Sequence, residues 1–205
     1  SDDSNSWNAS EVCPESGRGT FIDERDGQVY KYTTIGNQVW MAENLRYKIK
    51  EDTDADPSND FRSECFFSDD SCSVMGLVYN WNAAKGACPR EWHLPSEKEW
   101  NILVGRMGGD VEANYRLRAT SGWKELNRNE NLNGSDDCGF MLLPSQETYK
   151  PNIGYVADAW SSSEGSSEDN ELILFFRVVS YRTDLKLLYT DGYKSDLKSI
   201  RCLKD

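Results

Sequence analysis

The chain has 205 residues, of which 23 are Lys or Arg and 35 are Asp or Glu, giving a net charge of −12 and a pI near 4.6. Phosphate backbones and anionic lipid surfaces repel such a chain, which excludes nucleic acid as a partner. Its 24 aromatic residues can bury a large core and argue against full disorder, and no apolar run approaches the ~20 residues a membrane span needs.

The chain opens on a polar tail, Ser1 to Ser10, that reads as the solvated leader of a mature chain. Such a tail is ordered only when something ties it down. Trp7 and Val12 are its candidate anchors, either on the body of the same molecule or on a neighbouring one. Gln28 to Ile35 and Gln38 to Ala42 are rich in β-branched and aromatic residues and flank Gly36-Asn37, which predicts a β-hairpin. Tyr79 to Ala87 is expected to form a short helix with Trp81 and Ala84 on one side. Ser96 and Glu99 form a capping box, and Trp100, Leu103, Val104 and Met107 recur at helical spacing until Gly108-Gly109 ends the helix. Val111 to Arg118 continues as another short helix capped by Asp110. Strand-like runs follow at Gly139–Leu143, Ala159–Ser162, Glu171–Ser180, Leu185–Thr190 and Ser199–Leu203. Helices before strands predict an α+β fold with an antiparallel sheet. The polar stretches 51–60, 127–137 and 161–170 read as loops, and no linker divides the chain into two domains.

The six cysteines form an even set in an acidic, aromatic-rich chain, which points to disulfides and an oxidising compartment. They admit many pairings. Cys65 and Cys72 flank a turn-prone loop and suit a local bridge. Pairing Cys88 with Cys202 would close a loop of more than half the chain and leave Cys13 with Cys138, which would pin the tail to the body.

Candidate site residues are few. His93, the only histidine, sits between Trp92 and Leu94-Pro95 just before a helix and reads as a structural hydrogen-bonding residue rather than a general base. Asp52, Asp54 and Asp56 place oxygens at alternate positions, as at the start of a calcium loop. Pro57 then stands where such a loop turns on Gly, so a solvated acidic loop is the competing reading and calcium the one candidate ion. Tyr149, Tyr155 and Trp123 lie in or near loops and are the candidate ligand-stacking aromatics. Trp40, Trp81, Trp92, Trp100 and Trp160 are expected in the core.

The run Ala87-Cys88-Pro89-Arg90-Glu91-Trp92-His93-Leu94-Pro95-Ser96, followed by Glu99-Trp100, resembles the hallmark of the Fibrobacter succinogenes major paralogous (FISUMP) domain. Four further segments are similar in order: Gly36–Leu45, Cys65 to Trp81, Trp160–Glu164 and Ser199–Asp205. The resemblance runs from about Phe21 to Asp205, leaving residues 1–20 as an N-terminal extension of the domain 21–205. It implies a secreted or lipid-anchored surface protein with a C-type-lectin-like single domain: a twisted antiparallel sheet, two or three short helices, long loops and disulfides. Cys13 and Cys138 are not part of the family's pattern, and Ser145 stands where the family often has Gly, which implies a different turn there. The implied fold is similar to that of formylglycine-generating enzymes, which use reactive cysteines, whereas here every cysteine has a candidate partner. The expected function is a non-catalytic cell-surface module for adhesion, with a glycan or surface protein as partner. The alternative is a self-assembling subunit of a surface fibre or layer, a homo-oligomer ordered through its tail by strand addition.

Overall fold

The computed structural model describes residues 7–49, 60–65, 71–124, 131–145, 154–165, 172–182 and 186–205, with side chains omitted at 189–191. Its helices are α1 (Ala9–Val12), α2 (Cys72–Met75), α3 (Trp81–Ala84), α4 (Glu97–Arg106) and α5 (Asp110–Arg116). Its strands are β1 (Gly19–Ile22), β2 (Val29–Ile35), β3 (Gln38–Met41), β4 (Ser63–Cys65), β5 (Leu77–Tyr79), β6 (Trp92–His93), β7 (Val156–Glu164), β8 (Leu172–Val179), β9 (Leu188–Tyr193) and β10 (Leu203–Lys204). Among the described residues the strands make three antiparallel sheets, β1-β2-β3-β10-β6, β4-β5 and β7-β8-β9, so the fold is α+β. The last strand, β10, inserts between β3 and β6 and joins the end of the chain to its middle.

Local chemistry explains the clearest elements. Ile35 pairs with Gln38 across the two-residue turn, and Gly36 takes φ +61°, a conformation glycine adopts without a Cβ clash. At the start of α4 the Ser96 hydroxyl accepts from the Glu99 amide, while the Glu99 carboxylate accepts from the Ser96 amide. Two orphan donors of the first turn are thereby satisfied.

The five-stranded sheet has a core on each side. Trp40, Ile35 and Leu203 face Trp100, Leu103 and Met107 of the α4 region, and Trp100 stacks on Phe176 at 4.4 Å and 6°. On the other side Tyr30 and Met41 pack with Tyr79, Trp81, Trp160 and Phe175. Buried indoles keep partners: the Trp160 N–H donates to the Tyr79 carbonyl at 2.6 Å and the Trp81 N–H to the Ser161 carbonyl at 3.0 Å. No helix among the described residues is long and apolar enough to cross a membrane.

Several segments differ from the sequence expectation: residues 161–164, expected as the start of a loop, extend β7, and the strand expected from Leu185 begins at Leu188. Gly139–Leu143 is not a strand; only Leu142 bridges, to Arg118. Met141 has φ +53° and its amide donates to the Asp136 carboxylate, while the Phe140 and Met141 carbonyls accept from Arg201, so those backbone groups are not free for a ladder. Near the C-terminus only Leu203 and Lys204 join the five-stranded sheet, because the backbone before them pairs elsewhere: Ser199 bridges to Ala159 of β7, and the Ile200 carbonyl accepts from the Leu45 amide. Tyr79 belongs to β5, and α3 begins after the Asn80 cap, whose side chain accepts from the Ala83 amide. The residue capping α5 is Gly109, and the Asp110 carboxylate instead accepts from the Leu187 amide.

From Trp7 onward the N-terminal segment packs on its own body. Trp7, Ala9 and Val12 pack against the core, and the Trp7 indole N–H donates to the Arg106 carbonyl at 2.9 Å, satisfying an orphan acceptor near the end of α4. The Arg116 guanidinium lies 3.9 Å from the centre of the Trp7 ring. Trp7 and Val12 are thus engaged within the molecule, the first of their two expected placements: the α4–α5 corner supplies Trp7 with a carbonyl and a cation.

A candidate ligand groove on the five-stranded sheet

Strand register decides which side chains share a face. Gly19 opposes Tyr32, Phe21 opposes Tyr30, Thr34 opposes Val39 and Lys204 opposes Trp92. Leu203 pairs with Trp40 on the α4 side, which puts Val39 and Lys204 together on the other. That other face is covered by the second core only in part. The remainder is an open groove of about 730 Å³.

Its floor is aromatic and aliphatic: Phe21, Tyr32, Val39 and Trp92. Phe21 stacks on Trp92 at 4.4 Å and 21°, and on the buried Tyr30 at 5.6 Å. Tyr32 lies across Gly19. A Cβ at Gly19 would come within 2.6 Å of the Tyr32 hydroxyl and 2.7 Å of its ring, so only glycine lets the ring lie there.

Two polar segments form the walls. On one side Asp23 is fully buried and accepts two hydrogen bonds from the Arg25 guanidinium, at 2.9 and 2.7 Å. Burial raises the Asp23 pKa, but the Arg25 hydrogen bonds and charge outweigh it and hold the carboxyl below its ordinary value. The same guanidinium sits 3.7 Å from the Tyr47 ring centre, which pins it before any ligand arrives. On the other side the Trp92 amide donates to the Pro89 carbonyl at 3.0 Å, closing a four-residue turn. Its third residue, Glu91, has φ +67° and an exposed side chain. Glycine takes that position freely, whereas an L-residue there costs about 1 kcal/mol. Arg25, Arg90 and Lys204 balance Asp23, Glu24 and Glu91 among the described lining residues, although the chain as a whole carries −12.

His93 lies one residue beyond Trp92. Its Nδ1 is 2.7 Å from Asp205 Oδ1 and its Nε2 is 3.0 Å from Glu99 Oε1. Carboxylates only accept, so the full set of bonds requires both ring nitrogens protonated. Burial lowers the His93 pKa, and the bonds to Asp205 and Glu99 outweigh that and raise it. Burial raises the Glu99 pKa, and its bonds to Ser96 and His93 outweigh that and lower it. With both nitrogens occupied, the imidazolium ties the C-terminus to the start of α4. Its stabilising contribution is therefore complete below the unfolded His value of 6.5 and lost as pH rises through the higher folded value. The Glu99 contribution is complete above 4.5 and lost as pH falls through its lower folded value. The clamp is strongest between these limits. His93→Leu is expected to lower stability by about 1 kcal/mol at pH 5.5, solvent screening limiting the loss. The loss should shrink above pH 6.5, and denaturant melts at pH 5.5 and pH 9 check it; a pH-independent loss would contradict the imidazolium bridge.

The other expected site residues fall elsewhere. The disulfides join Cys13 to Cys138, Cys65 to Cys72 and Cys88 to Cys202, and no cysteine is free. Trp123 is 5% exposed, with its indole N–H donating to the Leu142 carbonyl at 3.0 Å. Its reading as a candidate ligand-stacking aromatic is corrected: the ring is packed in the core, and local polarity does not report burial. Tyr155 forms an edge-on pair with Tyr181 at 5.9 Å, with the Lys124 ammonium 6.0 Å from its ring, and does not line the groove. Tyr149, Asp52, Asp54 and Asp56 lie outside the described residues. Among the described residues no group of three or more His, Cys, Asp or Glu side chains forms a metal-ligand set. At Ser145, the hydroxyl accepts from the Asp158 amide at 2.9 Å, a bond that glycine lacks the atom to make. The sequence reading missed the groove residues Phe21, Tyr32 and Glu91; Trp92 is a core residue as expected, and one part of it also lines the groove. A usable signal was present in the Tyr30 and Tyr32 alternation, which puts two aromatics on one sheet face, whereas Phe21 joins them only through strand pairing.

The family model described as Fibrobacter succinogenes major domain matches residues 33–204. No curated protein and no solved structure matches the chain. The match begins inside β2, so the wall from Ser16 to Arg25 lies outside it, while Pro89–Trp92 and Lys204 lie within it.

Proposed function

Because the chain belongs to the Fibrobacter succinogenes major domain family, we propose that it is a non-catalytic binding module of the cell surface that holds its ligand in the groove of the five-stranded sheet. The groove carries the reading: aromatic side chains form its floor, and charged side chains already fixed in place form part of its wall. Preorganised polar groups around an apolar floor favour binding because little side-chain freedom is lost on association. Three disulfides suit an oxidising, extracellular setting. A non-catalytic role is supported by cysteines that are all bonded and by a His93 whose two ring nitrogens are both engaged. The C-type-lectin-like reading of the fold is supported by the antiparallel sheets, the short helices and the disulfides.

Arrays of microbial and plant surface polymers, probed with the full chain with and without a calcium chelator, test this. The expected result is retention on at least one polymer, left at unchanged length after incubation. Tyr32→Ala is expected to weaken retention about tenfold or more, since it removes the ring lying across β1. A blank array, or retention indifferent to Tyr32→Ala, would overturn the groove as the binding site.

A further inference from the structure

We infer that the groove takes an uncharged saccharide chain, with Tyr32 as the stacking surface and Glu91 as a reader of hydroxyl groups; the inference rests on the binding reading above. Charge selects the class. Within a chain of net charge −12 the groove is locally balanced, Arg25, Arg90 and Lys204 against Asp23, Glu24 and Glu91. With Asp23 buried and neutralised by Arg25, a polyanion entering it would meet Glu24, Glu91 and the field of the whole acidic surface, and a polycation would meet Arg90 and Lys204. An uncharged ligand bearing hydroxyls meets neither repulsion. Each hydroxyl can donate to a carboxylate or accept from a guanidinium or ammonium, and both bonds are charge-assisted.

Shape and backbone agree with that choice. A sugar ring presents a flat C–H face together with an edge of hydroxyls, so it needs an aromatic face beside polar groups. Gly19 leaves the Tyr32 ring lying over β1, and the Phe21–Trp92 stack supplies the adjoining apolar floor. The nearby wall is rigid. Thr34 donates to the Gly17 carbonyl at 2.8 Å, Arg18 to the Asp137 carbonyl at 3.1 Å, and Cys13 is bonded to Cys138. On the opposite wall Glu91 holds a left-handed backbone conformation that glycine would adopt without strain. Its carboxylate projects from an exposed turn at the groove's rim, and no hydrogen bond or ion pair within the described molecule accounts for it. Strain kept at such a place is explained when the side chain acts on a ligand.

Calorimetry with the full chain tests this against three uncharged hexasaccharides (xylohexaose, laminarihexaose and cellohexaose) and against hexagalacturonate as the charged probe. At least one uncharged probe is expected to bind, and hexagalacturonate is expected to bind more weakly or not at all. Glu91→Gly should weaken the uncharged probe about tenfold while the melting temperature stays equal or rises. Tighter binding of hexagalacturonate, lost in Tyr32→Ala, would overturn the uncharged class while leaving the groove as the binding site. Binding of an uncharged probe that Tyr32→Ala leaves intact would overturn the groove itself. Wild-type affinity in Glu91→Gly would overturn the role of Glu91, and silence from all four probes would overturn the saccharide class.

Discussion

Replacing Cys88 and Cys202 together by alanine is expected to lower the unfolding free energy by ~4.8 kcal/mol, an amount comparable to the whole stability of a marginal domain. The two residues are 114 apart in sequence, and their Cα atoms are 5.9 Å apart in the fold. The bridge therefore removes a large amount of loop freedom from the unfolded chain. It also acts on the folded side, because Cys202 is fully buried beside Leu203, which pairs with Trp40 and His93. Alanine is the better replacement here, since a serine hydroxyl at Cys202 would need a buried partner. In the same chain-entropy estimate the Cys65–Cys72 bridge, with a separation of 7, contributes only ~2.5 kcal/mol. Denaturant unfolding of the two paired variants checks both the size and the order. A loss below about 1 kcal/mol at Cys88–Cys202 would show that the unfolded-state account fails for this chain.

Arg201→Met is expected to cost about 3–5 kcal/mol. The side chain is 1% exposed, and its guanidinium donates to Asn44 Oδ1 at 2.6 Å and to the carbonyls of Met41, Phe140 and Met141 at 3.3, 2.5 and 2.9 Å. It also lies 4.8 Å from the Phe140 ring centre. Burial pulls its pKa down to about 9, with Asp136 and Glu43 opposing, so the group stays charged at neutral pH. Methionine fills much of the same volume but donates nothing. Four acceptors from β3, the segment after it and the irregular 140 region would then lack a donor in the interior. Arg201→Lys should recover only part of the loss, because one ammonium cannot reach acceptors arranged for a planar fork. Equilibrium unfolding gives the cost, and near-ultraviolet dichroism reports whether Trp40 and Phe140, 5.9 Å apart beside this knot, keep their packing. A methionine variant within 1 kcal/mol of the parent would mean that solvent replaces the guanidinium, and that its bonds are not what holds the region.

Both predictions concern residues whose type was visible in the chain while their consequence was not. Cys88, Cys202 and Arg201 all stand in segments that match the family's ordered motifs, and the α4 capping box and the Gly36-Asn37 hairpin follow from interactions between residues at most a few positions apart. Such local terms are complete within a short window of sequence. Gly139–Leu143 shows where a window fails. Its strand-like composition is overruled by hydrogen bonds from a guanidinium some sixty positions away. Trp123 fails for a related reason: a tryptophan among polar residues looks exposed until the rest of the chain is placed above it.

The sequence by itself determined the α+β class, the even set of cysteines available for pairing and the membership of a family, because each depends on composition, short-range spacing or ordered motifs. Only the tertiary structure decided where the groove lies. Phe21, Tyr32, Val39, Trp92 and Lys204 come from five strands spread over most of the chain, and their meeting depends on the register of β10 between β3 and β6. A register shift of one residue in any of these strands would turn that strand's contribution to the opposite face. The groove is thus a property of strand pairing, which is set by the burial of both cores at once and by the long-range bridges that close them.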